Sequence, residues 1–135
     1  MPNCHLCKTD SPKLAKSHIL PRSFYGPTLK SPSGPATIIS LQAGFRPIRS
    51  PIGEYDQNLL CPACETKLAD LDDYAYRSFY APNSVHFVEV AGERLAEVCL
   101  DVNVAKIRAF FCSLVWRMHE TRRQMFHPQV HQLIA

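Results

Sequence analysis

Glycine is scarce in this chain, which has five glycines but 11 prolines in 135 residues. This balance predicts stiff, extended connections rather than flexible glycine-rich linkers. No apolar stretch approaches the length of about 18 residues that a membrane-spanning helix needs, and MPNCHLCKTD lacks the apolar core of a secretory signal. Internal repeats and low-complexity segments are also missing. We therefore expect a cytoplasmic protein that makes no contact with a membrane.

The overall composition is that of an ordinary globular protein. Hydrophobic residues make up 46% of the chain and charged residues 20%, and 135 residues correspond to one domain. The formal net charge of +3 is mildly basic. This charge permits a nucleic-acid partner but does not require one.

The cysteines are the most specific feature of the composition. Six cysteines in a cytoplasmic chain do not indicate a disulfide framework, because the cytosol is reducing. Two Cys-x-x-Cys motifs are the usual source of a tetrahedral zinc site, since each supplies two thiolates at one turn's spacing. We therefore predict structural zinc on the cysteines of CHLC and CPAC, which are Cys4, Cys7, Cys61 and Cys64.

The two motifs lie far apart in the sequence. Residues 8–60 separate them, whereas a simple zinc ribbon has roughly 15 to 20 residues there. Another substructure is therefore expected to fold inside this bracket. The alternative is a pair of redox motifs, but neither is flanked by the βαβ pattern of thioredoxin-like proteins. Cys99 and Cys112 lie in apolar stretches and are predicted to be buried thiols.

Hydrophobic periodicity predicts both strands and helices, and hence an α+β fold. TIISL (37–41) has the composition of a short strand. FRPIRSPIG (45–53) is expected to be extended, because its prolines exclude a central strand. A helix is predicted from about Pro62, where apolar residues recur every three or four positions.

The C-terminal part of the chain predicts a hairpin and a long helix. VHFVEVAGERLAEVCLDV has two apolar or alternating arms around Ala-Gly-Glu. A helix is expected from about Val102 to Met125, with an apolar face made of Val104, Ile107, Phe111, Leu114 (or Val115) and Met118. Residues 102–135 carry five Lys or Arg and one acid, a local charge of +4, so the other 101 residues sum to −1. This asymmetry predicts a nucleic-acid surface made of Lys106, Arg108, Arg117, Arg122 and Arg123. The alternative is a solvated helix face.

Further features occur in a fixed order between the two cysteine motifs. SHILP (17–21) places His18 beside a proline-bounded turn. GEYDQNLLCPACETK (53–67) carries Asn58 before the second motif and Glu65 directly after it. This order resembles the HNH endonuclease family, whose ββα-metal fold is often bracketed by a zinc site made from two such motifs. The resemblance covers about residues 4–70, half of the chain.

The resemblance implies an architecture. Residues 1–80 would form a zinc-stapled ββα-metal core. Residues 81–135 would add the β-hairpin and the basic amphipathic C-terminal helix, packed with the core as one domain.

The resemblance also implies roles for individual residues. His18 would be the general base, oriented by a backbone carbonyl on its second ring nitrogen. Asn58 would hold the loop that supports the base. Glu65 would be a ligand of a catalytic Mg²⁺ or another divalent cation, which prefers oxygen donors.

Two positions depart from the family's pattern. Ser17 stands where family members commonly have an acidic or basic residue, often a metal-binding Asp, and Glu65 replaces the final histidine. Asp56 and Glu54 are then candidate replacement ligands, provided that the loop carries them inward. Each residue also has a structural interpretation: His18 as a core residue, Asn58 as part of an Asx-turn and Glu65 as a favourable charge at a helix N-terminus.

Two functions therefore remain open. The first is a metal-dependent DNA endonuclease of HNH type with His18 as its base. The second is a catalytically silent zinc module that binds nucleic acid or a protein partner. The apolar residues Phe110, Phe111 and Trp116 of the last helix allow a homodimer, and packing of this helix on the core is the alternative.

Overall fold

The computed structural model of the chain describes residues 1–26, 37–38, 43–44, 46–50, 52–80 and 85–121. These residues form small antiparallel sheets and two α-helices, which confirms the predicted α+β class. Residues 39–41 of the predicted TIISL strand, and residues 122–125 of the predicted last helix, lie outside the described residues.

Short strands and one long helix make up the region between and beside the cysteine motifs. Strand β1 (Ser17–His18) pairs antiparallel with β4 (Tyr55–Asp56), and β2 (Thr37–Ile38) pairs with β3 (Ile48–Arg49). A 3-10 helix (Arg22–Tyr25) follows β1.

Helix α1 (Pro62–Tyr80) begins as predicted at Pro62. Proline is well suited to the first helical position, because the N–H it lacks would have no partner within the helix there.

Two apolar clusters form the core. The first joins the cysteine motifs to β1 and α1 and consists of Cys4, Ile19, Leu59, Leu60, Cys64 and Leu68. The second is formed by Ala75, Phe110 and Leu114. Leu71 packs against both clusters, and so links the start of α1, which carries Cys64, to the C-terminal half of the helix.

The predicted hairpin consists of β5 (Val85–Val90) and β6 (Glu93–Cys99). Its turn lies at Ala91 and Gly92, whose positive φ values of 54° and 83° are those of the two-residue turn that matches strand twist. The described side chains of the hairpin are exposed except for that of Cys99, which is half-buried.

Helix α2 (Val104–Glu120) begins at the N-cap Asn103, whose side chain accepts a hydrogen bond of 3.1 Å from the Lys106 N–H. The helix turns Phe110 and Leu114 into the second cluster and leaves the side chain of Phe111 51% exposed. Cys112 is exposed too, so its predicted burial is wrong. It lies on the side of the helix away from Phe110 and Leu114.

The end of α2 is bonded to the core near the cysteine motifs. The Glu120 carboxylate lies 2.8 Å from His5 Nδ1, inside the first motif. The Thr121 hydroxyl donates to Asp56 Oδ2 at 2.7 Å. Through these contacts α2 adjoins both the cysteines and the β1–β4 pair. Neither α1 nor α2 is long and apolar enough to cross a membrane.

Candidate metal centre and adjoining imidazole site

The four predicted zinc ligands come together in space. The Sγ atoms of Cys4, Cys7, Cys61 and Cys64 all lie within 4.8 Å of one another, and those of Cys7 and Cys61 are 3.9 Å apart. Four thiolates around zinc at about 2.3 Å are about 3.8 Å apart in a tetrahedron. The donor set and its spacing therefore fit a bound metal ion and are consistent with structural zinc.

The local backbone prepares these sulfurs for a cation. Burial opposes ionisation of Cys4, but backbone N–H groups, led by that of Cys61 at 3.3 Å, outweigh it and lower the pKa of Cys4 to about 6. Burial and then the neighbouring thiols raise the pKa of Cys64 to about 12. A cation bound by all four sulfurs would offset the repulsion between neighbouring thiolates, because a metal ion stabilises its cysteine ligands in the deprotonated form.

His18 lies on β1 with its ring held by the backbone. Its Nε2 is 3.1 Å from the Ile52 carbonyl oxygen, which can only accept, so Nε2 carries the proton. Burial lowers the pKa of His18, and the Ile52 bond only partly opposes it. The ring is therefore neutral at physiological pH, with the lone pair on Nδ1.

The opposite face of the strand pair carries oxygen-bearing side chains and adjoins Glu65 of α1. Ser17, which is fully buried, donates from its hydroxyl to Glu65 Oε2 at 2.6 Å. Asp56 is paired with Ser17 across the strands, and directly paired residues of an antiparallel ladder share a face. Glu65 also lies close enough to His18 to raise the pKa of that ring.

Asp56 is already bonded through both oxygens. Its Oδ1 accepts the Asn58 N–H at 2.8 Å and its Oδ2 accepts the Thr121 hydroxyl. The Asx-turn at this place thus uses the side chain of Asp56. The side chain of Asn58 is exposed and lines a cavity of about 500 Å³ together with Arg49, Ser50 and the segment 52–57.

The four cysteines are the only group of three or more His, Cys, Asp or Glu side chains within the described residues that could share a cation. Glu65 and Asp56 thus form no such group with His18. Mg²⁺ is commonly held by one or two carboxylates, with water and substrate phosphates as its other ligands. Glu65, next to Ser17, fits that mode of binding.

The predicted basic surface is only partly present. Lys106 and Arg108 are exposed on α2. Arg117 is 1% exposed and pairs with Asp72 at 2.9 Å, so its assignment to a nucleic-acid surface is wrong. The buried face of α2 places it against α1 instead. Arg122 and Arg123 lie outside the described residues.

Arg108 also lies far from His18 and the β1–β4 strand pair. Thirteen residues at about 1.5 Å each put it about 20 Å along α2 from Thr121, which contacts Asp56.

Two cations that act electrostatically on His18 were not singled out from the sequence. Lys16 and Arg22 both lie close enough to lower the pKa of His18. Lys16 Nζ lies 3.8 Å from the centre of the Tyr55 ring, and Tyr55 is the cross-strand partner of His18. The spacing of Lys16, two residues before His18, was a usable signal for a shared strand face.

Comparisons of the chain with models of protein families, with curated proteins and with solved structures find no match.

Proposed function

We propose that this chain is a metal-dependent endonuclease of HNH type, which hydrolyses phosphodiester bonds in DNA with His18 as the general base. The main support is that strand β1, strand β4 and the start of helix α1 meet at Ser17. Strand β1 carries Ser17 and His18, pairs with β4 and is bonded to the first turn of α1 through Glu65. Two antiparallel strands followed by a helix are the order expected for a ββα-metal core.

The base can act through Nδ1. With Nε2–H donating to Ile52, the Nδ1 lone pair of the neutral ring can accept a proton from water. The water oxygen then bonds to phosphorus, and the bond from phosphorus to the leaving oxygen breaks. That oxygen takes up a proton from solvent.

Charge near His18 suits a phosphate substrate. Lys16 and Arg22 act electrostatically on the ring, since both lower its pKa, and they can attract the anionic DNA backbone. Glu65, which lies close enough to His18 to affect its pKa, would hold a divalent cation, which supplies charge stabilisation at the phosphoryl and leaving oxygens. In this proposal the zinc on the four cysteines is structural, since all four ligand positions are filled by protein.

A catalytically silent zinc module that binds nucleic acid or a protein is the second candidate. Specific observations favour it. The carboxylate of Glu65 already has an internal partner in Ser17, and apolar side chains such as Val90, Leu95 and Phe111 are 55%, 66% and 51% exposed.

Plasmid nicking tests the proposal. Wild-type protein, His18→Ala and His86→Ala, each with its zinc content and fold checked, are incubated with plasmid and Mg²⁺, Mn²⁺ or EDTA. His86, which is exposed on the hairpin, provides the matched control. We expect cleavage that needs a divalent cation, is lost in His18→Ala and persists in His86→Ala. A zinc-loaded, folded wild-type protein that cleaves no plasmid with any of the cations would instead support the silent module.

A further inference from the structure

The turn that holds His18 is built around Gly53. Gly53 has a φ of +81° and lies so close to Tyr25 that an added Cβ would overlap three carbons of its ring. Glycine alone combines this backbone conformation with no side chain. The ring of Tyr25 therefore rests directly on the backbone of the turn.

Tyr25 also bonds to this turn. It is the last residue of the 3-10 helix, and its hydroxyl oxygen accepts the Glu54 N–H at 3.4 Å. Burial raises the pKa of Tyr25, so the hydroxyl keeps its proton. On the other side, the Glu54 carbonyl accepts the Ile19 N–H at 3.0 Å. The turn is thus held between Tyr25 and strand β1.

The held turn carries the acceptor for His18. Ile52, whose carbonyl takes the Nε2–H, directly precedes Gly53. Steric clashes restrict the last side-chain torsion of histidine, χ2, only loosely. The direction of Nδ1 consequently depends on where the Ile52 carbonyl stands.

We propose that Tyr25 is a positioning residue for His18. By packing on Gly53 and accepting the Glu54 N–H, it fixes the Ile52 carbonyl and so aims Nδ1 of the imidazole. The catalytic consequence rests on the proposed function, but the orientation of the ring can be measured without it.

The orientation is tested by NMR of the imidazole N–H in zinc-loaded protein. A hydrogen-bonded, half-buried Nε2–H exchanges slowly enough to be detected, and His18→Ala assigns the signal. We expect it in wild type and in Tyr76→Phe, and its loss in Tyr25→Phe and Gly53→Ala. Tyr76 is a matched control, because its ring packs on Phe24 of the same 3-10 helix and its hydroxyl makes no hydrogen bond within the described part of the chain.

Turnover provides the second readout. In Tyr25→Phe we expect kcat to fall about tenfold to a hundredfold, the cost of a misplaced reacting group, with KM unchanged. Thermal unfolding is followed for every variant. Tyr25→Phe removes one oxygen atom and carries the test if Gly53→Ala does not fold.

The outcomes separate the two proposals. A Tyr25→Phe protein that keeps the His18 signal overturns the orientation of His18 by Tyr25, and one that loses the signal but keeps the wild-type kcat overturns the catalytic consequence of that orientation. If wild type cleaves no DNA with any cation, the endonuclease proposal fails. Loss of the signal in Tyr25→Phe would then still establish that Tyr25 orients His18.

Discussion

Replacing either member of the Arg117–Asp72 pair should reduce stability rather than nucleic-acid binding. Arg117 is 1% exposed, and its Nη2 lies 2.9 Å from Asp72 Oδ2. At that distance the attraction is about 6 kcal/mol for an effective dielectric constant of about 20. Moving the two ions out of water costs several kcal/mol for each ion. The intact pair therefore adds little net stability, but a lone buried charge is expensive.

The two single replacements should differ. Asp72→Asn leaves a guanidinium that cannot lose its proton, so we expect the free energy of unfolding to fall by about 3 to 5 kcal/mol. Arg117→Met leaves Asp72, whose pKa is already raised by burial despite its bond to Arg117. Asp72 can then take up a proton, and the expected loss is about 1 to 3 kcal/mol. The double variant Asp72→Leu/Arg117→Met should lie within about 2 kcal/mol of wild type.

Urea unfolding of zinc-loaded protein, followed by circular dichroism, measures these differences. Arg108→Met is the matched control, because Arg108 is exposed on the same helix, and it should change stability by about 0.5 kcal/mol or less. Equal losses for Arg117→Met and Arg108→Met would refute the reasoning. So would an Arg117→Met protein with wild-type stability and weakened DNA binding, which would return Arg117 to the nucleic-acid surface.

Three further predictions follow from the site. Cys64→Ser should lose bound zinc and cooperative thermal unfolding, while Cys112→Ser, outside the four-cysteine group, should keep both. Metal analysis measures the bound zinc, and calorimetry measures the unfolding. The neutral form of His18 is the proposed base and burial lowers its pKa, so kcat/KM for cleavage should rise with pH, with its midpoint below 6.5, and then level off. A midpoint above that value would contradict the environment described for His18. Lys16→Gln should make the slope of the log of the DNA-binding constant against the log of the salt concentration less steep by about one. An unchanged slope, or an equal effect of Lys67→Gln on α1, would show that Lys16 is not part of the DNA interface.

Local patterns in the sequence were sufficient for several elements. Helix α1 was predicted to start at Pro62, and the hairpin turn at Ala-Gly-Glu, because helical periodicity and turn chemistry involve only neighbouring residues. The α2 helix was also predicted, but with Phe111 instead of Phe110 on its apolar face. Apolar residues lie on two sides of it, so periodicity could not distinguish the buried Phe110 from the exposed Phe111 and Cys112.

The same limit explains the error at Arg117. Its position in a basic sequence segment predicted an exposed cation. Its partner Asp72 lies 45 residues earlier, on another helix. Only the packing of α2 on α1 brings the two charges together, and a charged side chain buried this completely almost always has such a partner.

By itself the sequence determined the α+β class and the four cysteines of the candidate metal centre, because these depend on periodicity and on ligand chemistry at short spacing. Only the tertiary structure decided that Glu65 bonds to Ser17 across 48 residues and Asp56 to Thr121 across 65. It also decided that Tyr25 packs on Gly53 beside the acceptor of His18. These contacts join distant parts of the chain, and they depend on which faces of the elements meet, which local preferences do not specify.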